Sequence, residues 1–211
     1  GDLRESRRVL EAAERAHREI LGEGHPETLR TTKNYAVTLR KIGEFEEARR
    51  ISAETLSKSQ RLFQGQNHPD VQASAMNLAC DESALGNDDA ALRRARPVYE
   101  WYQRTMRDDH LFTLAYANNV AIFLRKSGAL GEALVLTRDV VDRFTAVAGA
   151  EHPYTLAASI NLGDCLYAGE QFDEAARSDE QVYERIRRVL GPEHPDTLAL
   201  ASNLATSLEA V

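Results

Sequence analysis

The sequence predicts an all-α protein built from one helical hairpin repeated along the chain. Three observations predict it. Five of the six histidines, His25, His68, His110, His152 and His194, recur at steps of 43, 42, 42 and 42 residues. An asparagine follows each of them nine residues later, at Asn34, Asn77, Asn119, Asn161 and Asn203. Four of the five histidines are followed directly by proline, and four stand three residues after a glycine, a helix stop running into a helix start. Five such periods account for nearly all of the 211 residues. A single domain spanning 1–211 is therefore expected, with each unit burying its apolar face against the next.

The elements follow in order. Residues 3–21 read as the second helix of a hairpin, ending near Ile20. Gly22 closes it, and Pro26 opens a first helix in which Ala36 is a small slot and Leu39 a large one. Gly43 turns the chain, and Phe45 and Ala48 begin a second helix that runs to Phe63. Glu27, Asp70 and Asp196 put negative charge at the positive end of a first-helix dipole. The next copy starts at Gly65 and keeps Ala79, Gly86 and Ala91, but has Glu82 where leucine belongs and Asp88 where the aromatic belongs. Its second helix carries Pro97 on the way to Met106, and a proline inside a helix predicts a bend. Arg107 takes the glycine place of the third copy, followed by Ala121, Leu124, Gly128, Leu130 and Ala133, with the end near Ala148. The fourth copy runs from Gly149 through Gly163, Leu166, Phe172 and Ala175 to Leu190, with its turn glycine one place early at Gly169. Gly191 opens a last half copy with Ala205 and Leu208. The expected division is a half repeat 1–21, repeats at about 22–64, 65–106, 107–148 and 149–190, and a half repeat 191–211. Because solenoid ends normally carry polar caps, the two halves lead to the expectation that the chain is cut from a longer protein.

A small residue, leucine three on, glycine four further, an aromatic two further and alanine three further resembles the tetratricopeptide repeat. The 42-residue period with Gly-x-x-His-Pro-x-Thr-Leu at the joint is most similar to the kinesin light chain type of that family. The resemblance covers essentially the whole chain. It implies a right-handed superhelix of antiparallel helix pairs, about ten helices in all, whose first helices line a concave groove.

A helix advances about 100° per residue, so Asn34 lies roughly 200° from Ala36, away from the packed face. The asparagine ladder should then line the groove. A carboxamide offers both a donor and an acceptor, as each peptide unit of an extended chain does. In kinesin light chain repeats such asparagines contact an extended peptide, and the resemblance puts Asn34, Asn77, Asn119, Asn161 and Asn203 in matching positions. Hydrogen bonding between repeats is the competing role for the same side chains. Arg30, Lys33, Lys41, Arg125 and Lys126 gather on or beside the same strip, so the expected partner is a protein or peptide with an acidic residue or a free carboxylate.

Other chemistries find little support. A net charge of −7 argues against a nucleic-acid partner. No apolar run approaches the roughly 20 residues that cross a bilayer, and no secretory signal opens the chain, so a cytoplasmic protein without a membrane partner is expected. Cys80 and Cys165 fall in different slots and read as reduced, inert thiols. The histidines of successive repeats are too far apart to share a metal ion, and a capping role at the His-Pro joint suits them better. No phosphate loop, Cys-x-x-Cys or His-Glu-x-x-His occurs, so no enzyme, metal or cofactor is expected. The sequence therefore points to a protein–protein interaction scaffold holding an extended segment. The alternative is the sensor or regulatory repeat arm of a multidomain signalling ATPase.

Overall fold

The computed structural model describes residues 3–65 and 67–211. Among them are ten α-helices and no strand: α1 (Leu3–Leu21), α2 (Pro26–Lys41), α3 (Phe45–Leu62), α4 (Pro69–Ala84), α5 (Asp88–Thr105), α6 (Leu111–Lys126), α7 (Leu130–Ala148), α8 (Pro153–Ala168), α9 (Phe172–Leu190) and α10 (Pro195–Glu209). The even-numbered helices are the first helices of the repeat. The chain divides into two compact units, Gly1–Trp101 and Tyr102–Val211, and the division falls inside α5. α5 stays helical through Pro97.

Each first helix starts on its histidine. The ring nitrogen Nδ1 of His25, His68, His110 and His152 accepts a hydrogen bond at 3.2 Å from the backbone N–H two residues on. The imidazole thus does what a serine or aspartate cap does, satisfying a donor the helix cannot pair internally. Each hairpin turn closes in one way too. The N–H of Glu44 donates to the Leu39 carbonyl at 2.9 Å, and Asn87, Ala129 and Gln171 repeat the bond to Glu82, Leu124 and Leu166. The motif needs one residue with positive φ. Gly43, Gly86 and Gly128 supply it, but in the fourth copy Gly169 has φ −88° and Glu170 takes the left-handed conformation at φ 59°.

The small and large slots form the core. Ala36, Ala79 and Ala121, with Leu39, Leu124 and Leu166, are buried, as are Ala48, Ala91, Ala133 and Ala175 of the second helices. In α10, Ala205 and Leu208 are exposed. Where the second copy departs from the pattern, the substitutions answer one another. Glu82 takes a two-pronged bond from Arg94, at 2.8 and 3.0 Å, and Asp88 accepts from the Ser83 hydroxyl at 2.5 Å.

Within the first unit α1 to α4 pack in chain order, and within the second α6 to α10 do the same. In addition α2 packs directly on α4, and α6 on α8. First helices α2 and α4, and α6 and α8, are thus neighbours within their units, and the candidate site lies along the first helices.

Candidate functional site

The five asparagines are not equivalent in the structure. Asn34 and Asn203 are exposed, and Asn77 and Asn119 are half-buried. Asn161 is 3% exposed. Its amide nitrogen donates at 3.4 Å both to Thr137 Oγ1 of α7 and to Asn118 Oδ1 of α6. That rung holds helices together. The other four carboxamides make no side-chain hydrogen bond among the described residues, so their donors and acceptors face solvent uncommitted. Asn118, one place before the ladder, carries no repeat signal in the sequence, because its slot holds lysine, methionine, isoleucine or serine in the other copies.

Several of the sequence-predicted cations are paired within the chain. Arg30 is bound to Glu27 on its own helix, one turn back. Lys33 reaches Asp70 of α4 at 2.8 Å, and Arg125 reaches Asp164 of α8 at 2.9 Å. Arg30, Lys33 and Arg125 are thus answered by carboxylates of this chain. Lys41 and Lys126 are exposed at the C-terminal ends of α2 and α6. The Lys33 and Arg125 pairs bridge successive first helices, which a 42-residue repeat separates too widely for a sequence pattern to reveal.

The second unit carries a cavity of about 220 Å³ along its first helices. Gly163 and Asp164 of α8 form one side, Asn203 and Ser207 of α10 the other, with Asp179 of α9 between them and Arg125 of α6 at the rim. Asp179 is 3% exposed, and its Oδ2 accepts from the Ser207 hydroxyl at 2.7 Å. Burial pushes the Asp179 carboxyl up from the ordinary aspartate range, against the Ser207 hydroxyl, and the Asp164 charge adds to the rise. Burial also raises Asp164, against the pull of Arg125. The Arg125 Nε is buried without a hydrogen-bond partner among the described residues.

Neither cysteine suits nucleophilic chemistry. Burial pushes the Cys80 thiol up to about 11 and raises that of Cys165 as well, so both stay protonated at neutral pH. Among the described residues no helix is long and apolar enough to cross a membrane.

A family model described as tetratricopeptide repeat matches residues 1–61 and 112–185. The chain belongs to the tetratricopeptide repeat family. Repeats of this family are scaffolds for protein interaction and are generally non-catalytic. Among solved structures, a Podosopora anserina kinesin light chain-like protein with nearly identical TPR-like repeats is 28% identical, over 88% of this chain and 88% of its own, with a TM-score of 0.71. BtubC (BKLC) from P. vanneervenii is 19% identical, over 99% of this chain and 82% of its own, with a TM-score of 0.71. A Rap protein complexed with Competence and Sporulation Factor is 12% identical, over 99% of this chain and 59% of its own, with a TM-score of 0.63. These proteins share the fold of this chain, and the first of them carries TPR-like repeats of the kinesin light chain type. No curated protein matches the chain.

Proposed function

We propose that this tetratricopeptide repeat protein holds an extended peptide segment of a protein partner along its first helices, and that the second unit, through α6, α8 and α10, carries the complete site. The observation behind this reading is the contrast among the asparagines. Asn161 commits its amide inside the fold, whereas Asn119 and Asn203 leave theirs uncommitted on either side of it. Uncommitted carboxamides at repeat spacing suit a peptide backbone, which presents one donor and one acceptor at every residue except proline. Affinity drawn from main-chain bonds is blind to sequence, so side-chain subsites must set the choice of partner. The exposed Lys41 offers an acidic residue a contact on the first unit.

Selection of a random-peptide display library on the intact 211-residue chain tests the reading. Enriched peptides should bind the wild-type chain and lose about 1–3 kcal/mol with Asn119→Ala and Asn203→Ala combined, two neutral hydrogen bonds' worth. Failure to enrich any peptide, or equal binding by a well-folded double variant, defeats it.

A further inference from the structure

Asp179 stands where the preceding copies have Ser52, Ala95 and Thr137, four residues after the small alanine of the second helix. Facing it, Gly163 occupies a slot that is alanine in the other four copies, Ala36, Ala79, Ala121 and Ala205. The two departures fit together. A Cβ on Gly163 would lie 2.0 Å from Asp179 Oδ1, so the carboxylate rests on the bare backbone of α8 and would have to move to admit alanine. This one repeat has exchanged a small neutral contact for a carboxylate packed under the first helices.

The carboxylate is incompletely satisfied. Oδ2 accepts from Ser207, but Oδ1 accepts no hydrogen bond among the described residues, although the side chain is 97% buried, being 3% exposed. An ionised carboxylate has room for about four such bonds, so Asp179, which lines the cavity, keeps acceptor capacity for a donor placed there. The surroundings do not neutralise it. Asp164 lines the same cavity, and the one guanidinium there, Arg125, is directed at Asp164 through Nη2. Two carboxylates and one guanidinium leave the cavity a net negative charge, on the face where a peptide is proposed to lie. A missing cation would complete the balance, and a cavity of about 220 Å³ has room for the end of a side chain.

We infer that the cavity between α8 and α10 is a specificity pocket for a basic residue, lysine or arginine, of the bound segment, with Asp179 as its floor and Asp164 as its wall. The inference rests on the peptide-binding reading above. Asp179 and Asp164 face the incoming charge, Asn203 at the rim has its amide available for the peptide unit beside it, and Arg125 keeps Asp164 in place. Such a pocket would reject an acidic residue at that position through two like charges, which sets the choice of partner more sharply than the main-chain bonds do.

The peptides enriched from the library supply the test. They should carry lysine or arginine at one fixed position. Replacing that residue by methionine should weaken binding to the wild-type chain at least tenfold by fluorescence anisotropy, and separate lysine and arginine versions identify the preferred cation. Asp179→Asn keeps the shape of the floor and removes its charge. Against this variant the advantage of the basic peptide over the methionine peptide should shrink at least threefold, Asp164 supplying what remains, the signature of a direct pair in a double-mutant cycle. Enriched peptides with no basic preference, or a methionine peptide that binds the wild-type chain as well as its parent, overturn the pocket while leaving the groove reading intact. The peptide substitution decides between these outcomes even where Asp179→Asn does not fold. Absence of any enriched peptide overturns the groove reading and the pocket with it.

Discussion

Arg40 of α2 donates through Nη1 to Asp81 Oδ1 of α4 at 2.5 Å, and the carboxylate it meets is wholly buried. The third copy repeats the device from the same slot, where Arg125 of α6 reaches Asp164 of α8. An arginine late in one first helix thus staples it to the next. Oδ2 of Asp81 has no hydrogen-bond partner among the described residues, so the charge depends on the Arg40 guanidinium and the nearby Ser52 hydroxyl to offset its burial.

Arg40→Met keeps the aliphatic stem and removes that compensation. It should destabilise the chain by about 3 kcal/mol, the usual cost of stranding a buried charge. Adding Asp81→Asn should recover a large part of the loss, since the stranded charge is then gone. Urea denaturation of the two variants measures both, and an Arg40→Met chain as stable as wild type would deny the staple its role.

Glu170 carries the left-handed turn that glycine carries in the first three hairpins. A residue with a Cβ is strained there and glycine is not. Glu170→Gly should therefore raise stability by up to about 1 kcal/mol, even though it loosens the unfolded chain. This is one of the few positions where introducing glycine is expected to help, and a thermal melt that moves down instead would contradict it.

Gly163→Ala should cost about 1–3 kcal/mol, because the new methyl would lie 2.0 Å from Asp179 Oδ1 and the carboxylate would have to give up its seat against α8 and its bond from Ser207. Adding Asp179→Thr restores the alanine–threonine combination of Ala121 and Thr137 in the third copy and should return most of that stability. The two changes are then strongly non-additive, which a denaturation cycle reads directly. Additive losses would mean that the two residues do not constrain each other.

What the sequence made legible was local. The His-Pro joints, the turn glycines and the alanine and leucine slots answer to backbone conformation and to packing one turn away, so they recur at fixed spacing. Features that span helices were hidden. Glu82 looked like a lost leucine until Arg94 of the next helix came into contact with it. Gly163 looked like an ordinary small residue because its reason, Asp179, is on another helix. Gly169 suggested a displaced turn glycine, whereas the hydrogen-bonding frame kept its place and passed the positive φ to Glu170. The asparagine ladder shows the limit most clearly. One slot holds one residue type five times, yet Asn161 alone meets the Thr137 hydroxyl and the Asn118 carbonyl, because those partners come from helices a full repeat or half a repeat away.

Asp81, Asp164 and Asp179 all have their carboxyl pKa raised, in each case chiefly by burial. For such a group the unfolded chain loses its proton at lower pH than the folded chain does. Folding therefore carries a penalty at neutral pH, and the penalty disappears as pH falls through the folded-state value. Glu23, Glu27 and Glu47 act the other way, held low by hydrogen bonds from Lys58, Arg30 and Arg50, and their contribution is lost as pH falls through their folded values. They are surface groups, screened by water and salt, and weigh less. The urea midpoint should consequently rise as pH falls from neutrality through the folded-state values of these three groups, until the bulk of the carboxylates protonate near their ordinary value of about 4. Asp179→Asn should be more stable than wild type at neutral pH and should show a smaller rise, because one of the three penalties has been removed from the outset. A midpoint that falls steadily over that interval, or a slope unchanged in Asp179→Asn, would mean that the buried carboxylates are already compensated within the fold.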